Sequence, residues 1–199
     1  MIQLTQGSEI ITQDEFIQGS LAWKSLRKTK ITASDAGTIM GLNPYMDRQA
    51  LLEEKCGIRP EREITYRMQR GQLLEPVALK KYEDFTGNLM VPLVKINPFI
   101  NWMMASLDGI SIDQDLIIEI KCTHAKNHAM ARSGKIPEYY YPQIQHQLCV
   151  CDIDLCHYYS FDGVDGVVVP VFRDKDFISR MIDLEFTFYE EMMKLKQIC

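Results

Sequence analysis

Leu116-Ile117-Ile118-Glu119-Ile120-Lys121-Cys122 sets one carboxylate and one ammonium into an otherwise apolar run, and Ala105-Ser106-Leu107-Asp108-Gly109 stands just upstream. In a strand, alternate side chains share a face, so Glu119 and Lys121 go one way while Ile118 and Ile120 go the other. The interval between Asp108 and Glu119 suits a tight hairpin, which brings the two carboxylates side by side. An acidic pair among apolar sheet residues is costly unless something neutralises it. A divalent cation does so, and oxygen ligands of this kind suit Mg²⁺ or Mn²⁺. Such a metal acidifies a bound water and stabilises charge building on a phosphate, while Lys121 is placed to orient or help ionise the nucleophile. D-x₁₀-E-x-K therefore outlines a phosphodiester-cutting site. E-x-K alone arises freely from alternating charge on a solvated strand. The Leu, Ile and Cys flanks argue for burial here, and a buried ionisable pair needs a reason.

Working outward, three consecutive strands are predicted over Leu89–Ile96, Trp102–Leu107 and Leu116–Cys122, with Asp108 at the end of the second. Upstream, helices are expected near 20–27, after the polar N-cap candidates of 31–35, over 47–56, and over about 66–86. The last of these carries Leu73, Leu74, Val77, Ala78, Lys81, Tyr82 and Phe85 at helical spacing, with Pro76 as a kink or a later start. Downstream come helices at about 124–132 and 139–151, a hairpin of His157–Asp162 with Gly166–Phe172, and an amphipathic helix over about 174–196. The N-terminal stretch reads as a short strand or loop. This order predicts one α/β domain covering 1–199, with a central mixed β-sheet flanked by helices.

The chain has 199 residues, 46% hydrophobic and 25% charged, which excludes a disordered or membrane-spanning protein. The N-terminus lacks the cationic region of a secretory signal, and six cysteines in a chain of this size suit free thiols, so a cytoplasmic location is expected. A net charge of −5 argues against indiscriminate coating of nucleic acid but fits clustered metal-binding carboxylates. A nucleic-acid contact would then be local, and Trp23-Lys24-Ser25-Leu26-Arg27-Lys28-Thr29-Lys30 supplies four cations in eight residues.

Other features weigh less when taken singly. Glu75, in Arg70-Gly71-Gln72-Leu73-Leu74-Glu75, reads on its own as a helix-surface carboxylate. Gln143 and Gln147 share a helix face and read by default as solvated, with Gln145 on another side. Tyr139, Tyr140 and Tyr141 read as packing rather than base-stacking residues. Cys149, Cys151, Cys156 and His157 match neither zinc nor iron–sulfur spacing and read as ordinary buried thiols. His124 and His128, one helical turn apart, read as polar surface residues. Met181, Leu184, Phe188, Met192 and Leu195 suit the protein's own core and a subunit interface equally.

Five segments in order, 23–35, 70–75, 106–109, 119–122 and 140–145, together resemble the lambda exonuclease-type (YqaJ-like) viral recombinases, a branch of the PD-(D/E)XK nucleases. The usual motif begins Pro-Asp, where this chain has Leu107-Asp108. The resemblance implies the restriction endonuclease-like fold, with Asp108, Glu119 and the Ile120 backbone carbonyl as metal ligands. It implies two Mg²⁺ ions (Mn²⁺ in their place), Lys121 as the active-site lysine, Glu75 as a further metal-site residue that helps bind or orient metal-bound water, and Gln143 lining the site. Arg27 and Ser34 match the positions that grip a 5′-phosphate, with Arg48 an addition to that pocket and Met68 an apolar residue that helps part the strands. The function implied is 5′→3′ digestion of linear double-stranded DNA by a homotrimer, leaving 3′ single strands for a single-strand annealing protein. The alternatives are a sequence-specific endonuclease of the same fold and a catalytically inert DNA-end binding scaffold.

Overall fold

A computed structural model describes residues 18–198, so the N-terminal stretch read as strand or loop, and Cys199, lie outside the described residues. The element order is α1 (Leu21–Thr29), β1 (Ile31–Thr32), α2 (Ala33–Ile39), α3 (Arg48–Cys56), α4 (Tyr66–Thr86), β2 (Met90–Ile96), β3 (Met103–Ser111) and β4 (Ile117–Cys122). There follow α5 (Ala125–Arg132), a 3₁₀ turn (Glu138–Tyr140), α6 (Tyr141–Cys151), β5 (Leu155–Phe161), β6 (Gly166–Phe172) and α7 (Lys175–Ile198). The six strands form one mixed sheet, as the fold class predicts, in the order β1-β3-β4-β5-β6 with β2 also paired to β3.

Strand β3 organises the site. One of its edges pairs antiparallel with β2 from Met90↔Ser111 to Ile96↔Met104. The other edge is shared: β1 pairs in parallel at Met103 and Met104, and β4 pairs antiparallel only at Gly109↔Ile118 and Ile110↔Ile117. Beyond Ile118, β4 leaves β3 and runs parallel to β5 as far as Cys122↔Phe161. The strands thus split where Asp108 faces Glu119-Ile120. Two expectations are corrected here. Strand β3 does not end at Leu107 but carries Asp108 inside it and continues to Ser111. Gly109 is therefore no turn signal: a Cβ there would stand 2.7 Å from Met90 Cβ and 2.9 Å from Ile118 Cγ2, so only glycine lets the three strands close.

Helices cover both faces of the sheet. One core joins α2, α3, α6 and α7 to the sheet through Ile39, Leu51, Ile117, Ile144, Leu148, Met181 and Phe188. The other is smaller and sets Ala78 and Tyr82 of α4 against Met90, Ile118, Ile120, Tyr159 and Phe161. Helix α4 is continuous through Pro76, capped by Thr65 Oγ1 at its start and by left-handed Gly87 at its end. Its apolar stripe is narrower than its spacing suggests, because Leu73, Val77 and Phe85 are exposed and Ala78 and Tyr82 alone are buried. In α7, Met181, Phe188 and Met192 are buried in the protein's own core, whereas Leu184 is half exposed. No helix among the described residues is long and apolar enough to cross a membrane.

Candidate active site

The split between β3 and β4 strands a backbone donor, and the carboxylate of Asp108 takes it: Ile120 N–H donates to Asp108 Oδ2 at 2.7 Å. A side chain thereby replaces one rung of the ladder and fixes Asp108 beside Glu119. Glu119 itself is buried, and both its oxygens are engaged. Oε1 accepts from Gln143 Nε2 at 2.7 Å and pairs with Lys121 Nζ at 2.5 Å, while Oε2 accepts from Gln147 Nε2 at 2.5 Å. Lys121 Nζ also lies 4.9 Å from the centre of the Tyr140 ring.

Electrostatics bind the group together. Burial, then the charge of Glu119, hold the Asp108 carboxyl well above the ordinary range. The same two causes in the same order raise Glu75 on α4. Burial alone would lower Lys121, but Glu119, Tyr140 and Asp108 together outweigh it and raise the ammonium's pKa. Glu75, Asp108, Glu119 and Lys121 therefore form one electrostatic unit with three carboxylates and one ammonium. Arg70 docks α4 against this end of the sheet, donating to the carbonyls of Cys122 (3.4 Å) and Asp162 (2.8 Å).

The donor chemistry fits a hard divalent cation, since oxygen ligands and uncompensated negative charge coincide. Among the described residues, no three His, Cys, Asp or Glu side chains converge as a complete metal cage. A cation here would be held by Asp108 and Glu119 with the Ile120 carbonyl, at a Glu119 carboxylate whose Oε1 is shared by Lys121 and Gln143 and whose Oε2 is held by Gln147.

A second group lies on α1 and α2. Arg27 Nη2 donates to Ser34 Oγ at 3.3 Å, and its guanidinium stacks over Trp23 at 4.6 Å. Trp23 Nε1 donates in turn to Ser106 Oγ at 2.8 Å, two residues before Asp108. Beneath them Asp35 and Lys55 form a buried ion pair at 2.6 Å. Lys55 also donates to the carbonyls of Arg27 and Lys30, and Asp35 accepts from Thr32 N–H and Oγ1–H.

The structure thus brings together Glu75, Asp108, Glu119, Ile120, Lys121 and Gln143, and separately Arg27 with Ser34. It does not bring Arg48 to that pair: Arg48 bonds Glu191 on α7 at 2.8 Å and lies over Phe188. Met68 is exposed in the first turn of α4.

Three readings are corrected. Gln143 and Gln147 are not solvated but hold Glu119, because α6 is buried from Ile144 to Cys151 and its polar side chains find partners inside the protein. Gln145 is buried too, bridging to Phe172 O and Asp174 N–H. His128 is buried, with Nδ1 at 3.0 Å from Ser160 Oγ, and is no surface residue. Tyr139 and Tyr140 are half-buried packing residues, as read, with their rings 4.4 Å apart and Tyr140 packed against the main core. Gln147 is the residue whose role sequence reasoning missed, although its spacing from Gln143 put both on one face. Cys149, Cys151 and Cys156 are buried free thiols, and burial pushes Cys151 up to about 11.

A model of the YqaJ-like viral recombinase domain matches residues 22–154. The uncharacterized protein YqaJ of Bacillus subtilis (strain 168) is 29% identical over 175 residues, 85% of this chain, and the chain spans 55% of that relative's length. An alkaline exonuclease from Laribacter hongkongensis, LHK-Exo, superposes with a TM-score of 0.77 at 26% identity, covering 90% of this chain and 96% of the other. Its complex with dAMP gives 0.78 over the same shares. A phage related exonuclease from Haemophilus somnus 129PT, 16% identical with a TM-score of 0.60 over 84% and 93% of the two chains, shares the fold.

Proposed function

The chain belongs to the YqaJ-like viral recombinase domain family, and from that premise we propose that it is a metal-dependent DNA exonuclease. It digests linear double-stranded DNA 5′→3′ from a phosphorylated end and leaves 3′ single strands for an annealing protein. The observation that carries this reading is the buried Glu119–Lys121 pair with Asp108 and Glu75 electrostatically coupled to it, at the point where β3 and β4 part. The likeness to LHK-Exo, at 26% identity and nearly full coverage, supports the activity, and that protein's complex with dAMP supports mononucleotide release.

A divalent ion, Mg²⁺ or Mn²⁺ and two per site, would supply an acidified water and charge neutralisation on the phosphate. The chain's own residues do the rest. Asp108, held by Ile120 N–H, and Glu119, held by Gln143 and Gln147, are oriented by these bonds toward the same site. The Lys121 ammonium orients the attacking nucleophile and balances charge that develops on the phosphate. Glu75, its pKa raised, accepts or relays a proton at the rim. Arg27 and Ser34 hold the terminal 5′-phosphate through charge-assisted bonds, and the Trp23–Ser106 link keeps that pocket at a fixed distance from Asp108. The exposed Leu73, Val77 and Phe85 of α4 offer apolar surface for the homotrimer such an enzyme would form.

The test is digestion of linear duplex with a 5′-phosphate or a 5′-hydroxyl, in Mg²⁺ and in EDTA, beside a closed circle. The phosphorylated linear strand alone should disappear, and only with metal. Lys121→Ala and Asp108→Asn should each lose at least about 10³-fold in rate. Cutting of the circle, or full activity in either variant, would overturn the reading.

A further inference from the structure

Tyr45 stands on the surface with 66% of its area exposed, yet the turn that carries it is firmly held. Its N–H donates to Asn43 Oδ1 at 2.9 Å, and Asn43 Nδ2 donates to Thr38 Oγ1 at 2.8 Å. The N–H groups of Leu42 and Asn43 both donate to Gly37 O. Gly37 in turn packs on the 3₁₀ turn, where a Cβ would come within 3.0 Å of Tyr139 O. An exposed aromatic side chain on a braced turn keeps a large apolar face in water with little entropy left to lose on binding.

The ring does not stand alone. Tyr45 meets Tyr139 edge-on at 5.7 Å, and Tyr139 meets Tyr140 at 4.4 Å. Tyr140 lies under the Lys121 ammonium. Asn127 Nδ2 fixes Tyr139 through its hydroxyl at 2.8 Å. A continuous aromatic path therefore runs from the surface to the lysine of the carboxylate cluster. Two exposed cations, Arg67 from α4 and Lys126 from α5, act electrostatically on Tyr45, although its hydrogen bond with Tyr139 outweighs them and raises its pKa. In a chain of net charge −5, aromatic rings flanked by cations at the mouth of an acidic site match a ligand with flat bases and a negatively charged backbone.

We infer that Tyr45, Tyr139 and Tyr140 form a stacking platform for unpaired nucleobases of the DNA strand being cut, with Arg67 and Lys126 on its phosphates. This rests on the nuclease reading above and names how the strand reaches Lys121. The platform binds bases by their faces, so it is indifferent to sequence and needs the strand to be open.

The experiment uses the full chain in EDTA, where hydrolysis does not interfere, and single-stranded oligonucleotides carrying 2-aminopurine at successive positions from the 5′-phosphate. Wild-type protein should quench the fluorescent base at one or two positions only. Tyr45→Ala should lose that quench and bind about tenfold more weakly, whereas Tyr45→Phe should retain both. Tyr45 is exposed, so its variants should melt with the wild type. A fully paired hairpin duplex should bind Tyr45→Ala and wild type alike. Equal quenching by Tyr45→Ala, or a loss as large in Tyr45→Phe, would overturn the platform. If Mg²⁺ gives no digestion while the quench persists, the exonuclease reading fails and the platform stands. If digestion proceeds with no position-dependent quench, the platform fails and the exonuclease reading stands.

Discussion

At Lys55 one ammonium meets one carboxylate, whereas at Lys121 one ammonium meets three. Lys55 lies on helix α3 and Lys121 on the interior strand β4, and both pair with acids that are buried. Around Lys55 every charge has a partner: two backbone carbonyls and Asp35 take the ammonium, and Thr32 completes Asp35. Burial pushes Asp35 up, but the Lys55 and Arg27 charges, with hydrogen bonds from Lys55 and Thr32, together outweigh it and lower its pKa. Around Lys121 the same count fails, and Asp108 and Glu75 are both raised. The balanced cluster closes the joint between α1, α2 and α3. The unbalanced one carries a charge deficit that the protein alone does not meet, which marks a ligand site rather than a structural joint.

The sharpest way to break this contrast is to delete one acid from each cluster. Asp35→Ala leaves a buried ammonium unpaired and should cost about 3–5 kcal/mol in urea unfolding. Asp108→Asn in metal-free buffer should cost nothing, or raise stability, because it relieves repulsion with Glu119. An equal loss in both variants would show that both clusters are structural joints and end the distinction.

The sequence carried the central hairpin clearly, because period-two alternation across Leu116–Cys122 fixes which side chains share a face and hydrophobic flanks imply burial. The mixed sheet between helices followed from the order of the elements. What stayed hidden depended on tertiary packing. Two residues, Ile31 and Thr32, are too few to display a period, so β1 reads as part of a helix cap. Asp108-Gly109 looks like a turn, although the glycine serves the approach of Met90 and Ile118. Leu73, Val77 and Phe85 have core-like spacing, but the strip of sheet beneath α4 accommodates only Ala78 and Tyr82. Arg48 has the charge for a phosphate pocket, yet α3 packs on α7 and brings it to Glu191.

Gln147 sharpens the comparison from within the unbalanced cluster. It is buried and holds Glu119 Oε2, while Gln143 and Lys121 hold Oε1, so it fixes how the carboxylate is turned. Groups that orient a metal ligand typically change affinity by about 10–100-fold when removed. Gln147→Leu keeps the volume and removes the donor. It should weaken Mn²⁺ binding, measured by calorimetry on the nucleic-acid-free protein, by about that factor, while the rate at saturating metal stays within a few-fold. An unchanged affinity together with a large loss of melting temperature would reduce Gln147 to a packing residue.

The smallest effect is the pH dependence of the metal-free protein, where the two clusters pull in opposite directions. A carboxyl raised by folding keeps its proton at a pH where the unfolded chain has already lost its own. Asp108 and Glu75 therefore draw stability down as pH rises above their ordinary values of 3.8 and 4.5. Asp35 is lowered by folding, so its contribution is present above the ordinary aspartate value of 3.8 and fades as pH falls through its depressed one. Urea unfolding in EDTA across the acid-to-neutral range should accordingly show stability lost on both sides of a maximum. Asp108→Asn should flatten the loss on the neutral side and leave the acid side alone, and Asp35→Asn should do the reverse. If Asp108→Asn leaves the neutral-side slope untouched, the carboxylates are not repelling one another in the folded protein. The charge deficit at Lys121 would then be no reason to place a cation there.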